Sequence, residues 1–160
     1  MSAKIPPFAG VAARVIVGAV LVYAGATKAA APPEEFAIVI GSYDVLSRDM
    51  VLTVATFLPW VELLVGWSLI LGLKLRVAAA SAGALFAVFL FSLVSVKAKG
   101  IELPNCGCFG DGIHLTLTQG LLFDAVLAAL CWVAWTTAPS AWSLDNWAEG
   151  GYTGPTNDKR

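Results

Sequence analysis

The chain has 160 residues, of which 58% are hydrophobic and 13% charged, with a mean hydropathy of +0.78. A soluble domain carries about a quarter charged residues, so this composition excludes an ordinary water-soluble globule and implies a surface that faces lipid. A net charge of −1, without a basic patch, excludes electrostatic recognition of nucleic acid, and three cysteines are too few for a disulfide-stapled secreted fold.

The first apolar run covers residues 7–29 and follows Lys4. Ala29-Ala30-Ala31 resembles a leader-peptide cleavage site, but the run is longer than the apolar region of a typical leader and reads as a retained span. Pro32-Pro33-Glu34-Glu35 then makes a good helix start, because proline suits the first turn and carboxylates suit the positive end of the helix dipole. Phe36, Val39, Ile40 and Tyr43 follow at helical spacing on one face. They predict a short amphipathic helix at the membrane interface, either a lid over the bundle mouth or an anchor.

Three more runs are long enough, at about 20 residues, to cross a bilayer: 50–73, 76–97 and 114–138. Only a few residues around Lys74 and Arg76 separate the second from the third, so these form a tight antiparallel hairpin. Backbone polar groups must be satisfied internally in lipid. The expected architecture is an all-α integral membrane four-helix bundle over residues 1–138, followed by a polar tail over 139–160. An N-in/C-in orientation places Lys4, Arg14, Lys74, Arg76, Lys159 and Arg160 inside and Lys28, Arg48, Lys97 and Lys99 outside, which agrees with the positive-inside rule. Trp132, Trp135 and Trp142 then form an inner aromatic belt, and Trp67 reads as a packing residue.

Between the third and fourth runs lies the Gly-rich turn Asn105-Cys106-Gly107-Cys108-Phe109-Gly110-Asp111-Gly112. A disulfide between Cys106 and Cys108 closes a small strained ring, for which Gly107 supplies backbone freedom. Strained, exposed disulfides are the labile or catalytic ones, and an extracytoplasmic position permits them. The sharp reading is a dithiol–disulfide couple that exchanges with a soluble thioredoxin-like protein or with a membrane quinone. A structural bridge would close too short a loop to stabilise much. Metal binding by Cys106, Cys108 and the single histidine, His114, lacks a fourth ligand and ranks below redox chemistry, so no metal is expected. His114 reads either as a helix-start residue or as a group that sets the protonation of a nearby thiol. Cys131 lies about 25 Å from His114 along a helix axis and reads as a small buried hydrophobe.

Arg14, Glu62 and Asp124 fall inside predicted spans. Ionisable groups there face the bundle interior and pair with one another. An Arg14–Glu62 contact, joined by Asp124, is expected, either as a structural ion pair or as a proton path. Gly18, Gly25, Gly66, Gly72, Ser81 and Gly83 are candidates for close helix contact.

Taken together, these residues resemble the methylamine-utilisation MauE family within the wider DoxX-like membrane superfamily. The likeness rests on Arg14, Gly18 and Gly25-Ala26-Thr27-Lys28 in the first span and Tyr43-Asp44-Val45-Leu46 in the outer loop. It continues with Leu58-Pro59-Trp60-Val61-Glu62 and Gly66 in the second span, Cys106-Gly107-Cys108-Phe109-Gly110 in the turn and Asp124 in the fourth span. Where the family often has proline after the outer-loop leucine, this chain has Ser47. The resemblance implies a bacterial inner-membrane protein tied to periplasmic thiol chemistry, electron transfer, or the maturation of a disulfide-rich dehydrogenase beside a thioredoxin-like partner. DoxX relatives include subunits of quinone-reducing complexes. By analogy of architecture alone the bundle is similar to vitamin K epoxide reductase. Two functions follow: a membrane thiol–disulfide oxidoreductase built on Cys106 and Cys108, or a non-catalytic accessory subunit of a larger respiratory or photosynthetic membrane complex.

Overall fold

A computed structural model describes residues 7–101 and 115–137. Among them the chain forms five helices and no strand: α1 Pro7–Ala30, α2 Pro33–Ser42, α3 Arg48–Leu71, α4 Leu75–Ala98 and α5 Leu117–Thr136. All but α2 are long and apolar enough to cross a membrane. The four expected spans are present, and the largest shift is at α5, which starts at Leu117 instead of residue 114. Thr116 caps this helix: its hydroxyl accepts from the Gln119 N–H, and the Gln119 side chain accepts from the Thr116 N–H. That reciprocal pair satisfies two donors which the helix start leaves open. Ser47, directly after the outer-loop leucine, is the N-cap of α3.

The α3–α4 hairpin turns on Gly72, Leu73 and Lys74. Gly72 takes φ 71 and Leu73 donates its N–H back to the Ser68 carbonyl, which closes α3 in a Schellman motif. Lys74 is also left-handed, with φ 42. A non-glycine residue there costs about 1–2 kcal/mol, so the sharp reversal is held against a local preference.

Around the bundle the order is α1, α3, α4, α5, with α1 closing against α5. Gly10, near the start of α1, abuts Thr137 beyond the end of α5. The two ends of the described bundle therefore lie on the same side, as an even number of spans requires. Val17, Leu21, Leu69, Ala82, Phe86 and Leu127 fill the core. Phe57, Leu64, Val88, Phe91, Leu122 and Trp132 point outward, as a lipid-facing surface demands. Trp67 belongs with these outward groups: it is 51% exposed and is not the packing residue expected of it. Trp132 and Trp135 sit with ring centroids 5.2 Å apart near the end of α5, where the aromatic belt was expected, while Trp142 and the polar tail lie outside the described residues.

The tightest seam joins α1 to α3. A Cβ on Gly18 would stand 2.7 Å from the Gly66 carbonyl oxygen, and a Cβ on Gly66 would stand 2.8 Å from that of Gly18. Without side chains at both positions the backbones approach directly, which is how helices associate where no hydrophobic force drives them. Gly83 differs, because a Cβ there would meet only the Cys131 Cβ at 3.8 Å. Gly66→Ala should therefore cost about 1–3 kcal/mol by overpacking, whereas Gly83→Ala should be neutral or stabilising through its better helix propensity. Thermal unfolding of both variants in the same detergent checks the contrast, and equal effects would remove the seam from the account.

Candidate functional site

Cys106, Cys108 and His114 lie outside the described residues. Their anchors do not. The helix α4 ends at Ala98 and α5 begins at Leu117, both at the end of the bundle that carries α2. Lys99, just past α4, confirms the placement by donating to the Asp44 carbonyl at 2.5 Å and to its carboxylate at 3.1 Å, just past α2. Both groups are exposed, so the contact marks proximity more than stability.

The same end holds the main polar centre of the described bundle. Lys28 is 3% exposed and Glu62 is fully buried. The Lys28 ammonium donates to Glu62 Oε1 at 2.8 Å and to Oε2 at 2.9 Å. It also lies 5.3 Å from the ring centroid of Phe36 and 5.8 Å from that of Phe89. A single cation from α1 thus meets a carboxylate from α3 and rings from α2 and α4.

Local sequence explains why α1 and α3 come this close. Gly25, one turn before Lys28, lies against the carbonyl of Pro59 and the Cβ of Glu62, where an added Cβ would meet them at 2.8 and 3.1 Å. Pro59 lacks an N–H, so the turn of α3 preceding Glu62 carries one hydrogen bond fewer.

The pairing corrects the expected Arg14–Glu62 contact. Both carboxylate oxygens of Glu62 are taken by Lys28. Gly25 sets the Glu62 level on α1, and Arg14 lies about 16 Å from that level at the helix rise. Lys28, expected among the charges of the outer side, is instead the buried partner of Glu62. Arg14 and Asp124 are nonetheless buried, at 4% and 3% exposure, as intramembrane charges should be. Taking Gly10 as level with Thr137, Asp124 falls within about one turn of the Glu62 level. By helix rise, Asp124 therefore lies nearer the level of the Lys28–Glu62 pair, and Arg14 lies toward the start of α1. One signal could have found Lys28: a carboxylate this deep demands a cation at the same depth, and the antiparallel α1–α3 pairing puts Lys28 there.

The predicted α2 face is also present. Ile40 is buried, Phe36, Val39 and Tyr43 are partly buried, and Ile38 points away at 74% exposure. Cys131 is a free, buried cysteine packed near Gly83 in the far half of the bundle, the small hydrophobe that the sequence suggested.

Removing one partner of a buried ion pair strands the other charge, at a cost of about 3–5 kcal/mol. Lys28→Met should lose that much stability, and Lys28→Met combined with Glu62→Leu should recover most of it. Unfolding of wild type, both single variants and the double variant reads the coupling directly. A double variant as unstable as the singles would show that the two charges do not depend on each other.

The family model described as Methylamine utilisation protein MauE matches residues 6–137, a stretch that includes the cysteine turn. No curated protein and no solved structure matches the chain. With four membrane-capable helices in antiparallel order and the family match running across them and the cysteine turn, the chain belongs to the MauE family.

Proposed function

We propose that this protein performs thiol–disulfide chemistry at the outer face of a bacterial inner membrane, with Cys106 and Cys108 as the redox couple. In this reading the two thiols become a disulfide by releasing two electrons and two protons. A thioredoxin-like disulfide accepts them and becomes a dithiol, or a quinone accepts them and becomes a quinol. The same exchange in reverse would serve the maturation of a periplasmic redox enzyme. The supporting observation is the family match that runs unbroken through the CxC turn, on a scaffold able to hold that turn at a membrane surface. Membership of the DoxX-like superfamily and a part in methylamine utilisation belong to this same proposal.

His114 is close enough in sequence to influence a thiol, and the Asp124 and Glu62 carboxylates would act in a supporting role from the scaffold. Arg14, toward the opposite end, serves the fold. In this reading both termini are inside, which the exposed charges of the short hairpin, Lys74 and Arg76, support, while the buried Lys28 and Arg14 drop out of the tally on either side.

A second reading, an accessory subunit of a larger membrane complex, has one observation in its favour. Between α4 and α5, Ala79, Ala80, Gly83 and Ala128 floor a cavity of about 270 Å³ flanked by Trp132 and Trp135. Small residues with aromatic flanks suit a neighbouring transmembrane helix.

The two readings part in a thiol-trapping experiment on intact cells. A membrane-impermeant maleimide should label Cys106 and Cys108 from outside only after reduction, while buried Cys131 stays unlabelled. Cys106→Ser with Cys108→Ser should abolish electron exchange with the partner and leave membrane insertion intact. A double serine variant with full activity would end the redox reading and leave the accessory one.

A further inference from the structure

Beneath α2 the bundle leaves a cavity of about 80 Å³, walled by Phe36 and Ile40 from α2, Tyr43 at its end, Leu58 from α3 and Phe89 from α4, with Lys28 at one side. We propose that this cavity binds an uncharged, chain-bearing molecule drawn from the bilayer and that it holds a carbonyl oxygen of that molecule against Lys28.

The location favours entry from lipid. The hairpin at Gly72 joins α3 and α4 at the opposite end, and they make the least extensive helix pair of the ring. Val88, which also lines the cavity, is 60% exposed on the lipid-facing side. The space is therefore reached sideways, through the gap between α3 and α4.

The chemistry of the head group follows from the ammonium. Lysine carries three N–H donors. Glu62 takes two of them, and among the described residues no oxygen takes the third, which lies amid the rings of Phe36 and Phe89. Those rings compensate the cation less fully than an oxygen acceptor would, so an incoming oxygen gains a strong, charge-assisted bond. Glu62 already balances the charge of Lys28. A carboxylate or phosphate would add an unbalanced negative charge in a low-dielectric site, whereas a carbonyl adds none.

Size completes the selection. A cavity of about 150 Å³ accommodates benzene, and this one is about half as large. As it stands it takes a carbonyl and the first atoms of a chain, and a ring-bearing head enters with an outward shift of α2. The shared chemistry has two natural sources, the ester carbonyl of a membrane lipid and the carbonyl of an isoprenoid quinone.

Binding at this cavity is independent of the cysteine couple, and the experiment keeps them apart. Full-length protein carrying Cys106→Ser and Cys108→Ser is placed in detergent micelles, so that a quinone cannot act by oxidising the turn. Decylbenzoquinone, dioleoylglycerol and decylbenzene are titrated separately, and the thermal unfolding midpoint is followed. A carbonyl probe should raise the midpoint by a few degrees and saturate, as a ligand of the native state must. Decylbenzene should raise it far less. A response to the quinone alone identifies a quinone as the source, and a response to dioleoylglycerol identifies a lipid. Val88→Trp, which fills the cavity mouth, should abolish the shift. Lys28→Met with Glu62→Leu should erase the difference between decylbenzoquinone and decylbenzene. No shift with either carbonyl probe, an equal shift with decylbenzene in the parent, or a shift that survives Val88→Trp overturns the proposal, and none of these results bears on the thiol chemistry.

Discussion

One buried ammonium sets the terms for the rest of the molecule. An unpaired lysine this deep in a membrane bundle would carry a heavy solvation penalty. Lys28 avoids it only because Glu62 from α3 and the rings of Phe36 from α2 and Phe89 from α4 arrive at the same point. The contact is therefore a register constraint on four helices together. A slide of α1 by one turn would move the cation about 5 Å along the axis, out of reach of the carboxylate, and leave two buried charges uncompensated. Dispersion between apolar faces cannot impose so sharp a penalty, since lipid tails pack nearly as well against leucine as another helix does.

The glycine seam makes that constraint reachable. Gly18 and Gly66 let the backbones of α1 and α3 touch, and Gly25 admits the Pro59 carbonyl and the Glu62 stem. If α1 and α3 stood a side chain further apart, the bidentate geometry at 2.8 and 2.9 Å would fail. Close approach and charge pairing are thus not separate stabilising features. The first positions the second, and the second fixes the register of the first. The opposite end uses a different device: there the α3–α4 link is so short that Gly72 and Lys74 both accept left-handed backbone to complete it.

Which parts of this were legible in the chain depends on the range of the interaction involved. The four spans follow from length and apolarity alone, and α2 follows from its prolines, its acidic first turn and the spacing of Phe36, Ile40 and Tyr43. These are local or periodic signals. The partner of Glu62 is not local: Arg14 and Lys28 sit on the same helix, and only the interhelical register, set by Gly25 against Pro59, selects one of them. Trp67 departs from the packing expectation for a related reason, because inside a span apolar residues face either the core or the lipid and composition does not say which. The start of α5 is a local signal too, since Thr116 and Gln119 have the capping-box spacing in plain sequence, which places it at Leu117 and not at residue 114. The cysteine turn falls on residues outside the description, so its chemistry rests on the CxC spacing and on the family match.

The distribution of constraint along the bundle bears on why that turn sits where it does. Antiparallel helix neighbours are commonly joined by 2–8 residues, as α3 and α4 are. The segment from residue 102 to 114, between α4 and α5, is longer than closure requires, and surplus connecting length placed on a fixed scaffold is where reactive groups usually reside. Its first anchor is not isolated from the rest of the site. Lys99 reaches Asp44, whose φ of 52 ends the α2 turn in left-handed backbone, so the entry to the cysteine segment and the exit of α2 share one contact. Phe36 on that same helix lies against Lys28. A displacement of α2 would therefore be felt both at the buried ion pair and at the root of the cysteine segment, through contacts that each involve a lysine and a group from the α2 region. Among the described residues the far half of the bundle, closed by small residues and a tight turn, shows no comparable chain of contacts, so the linked contacts lie at the end where the segment carrying Cys106 and Cys108 is attached.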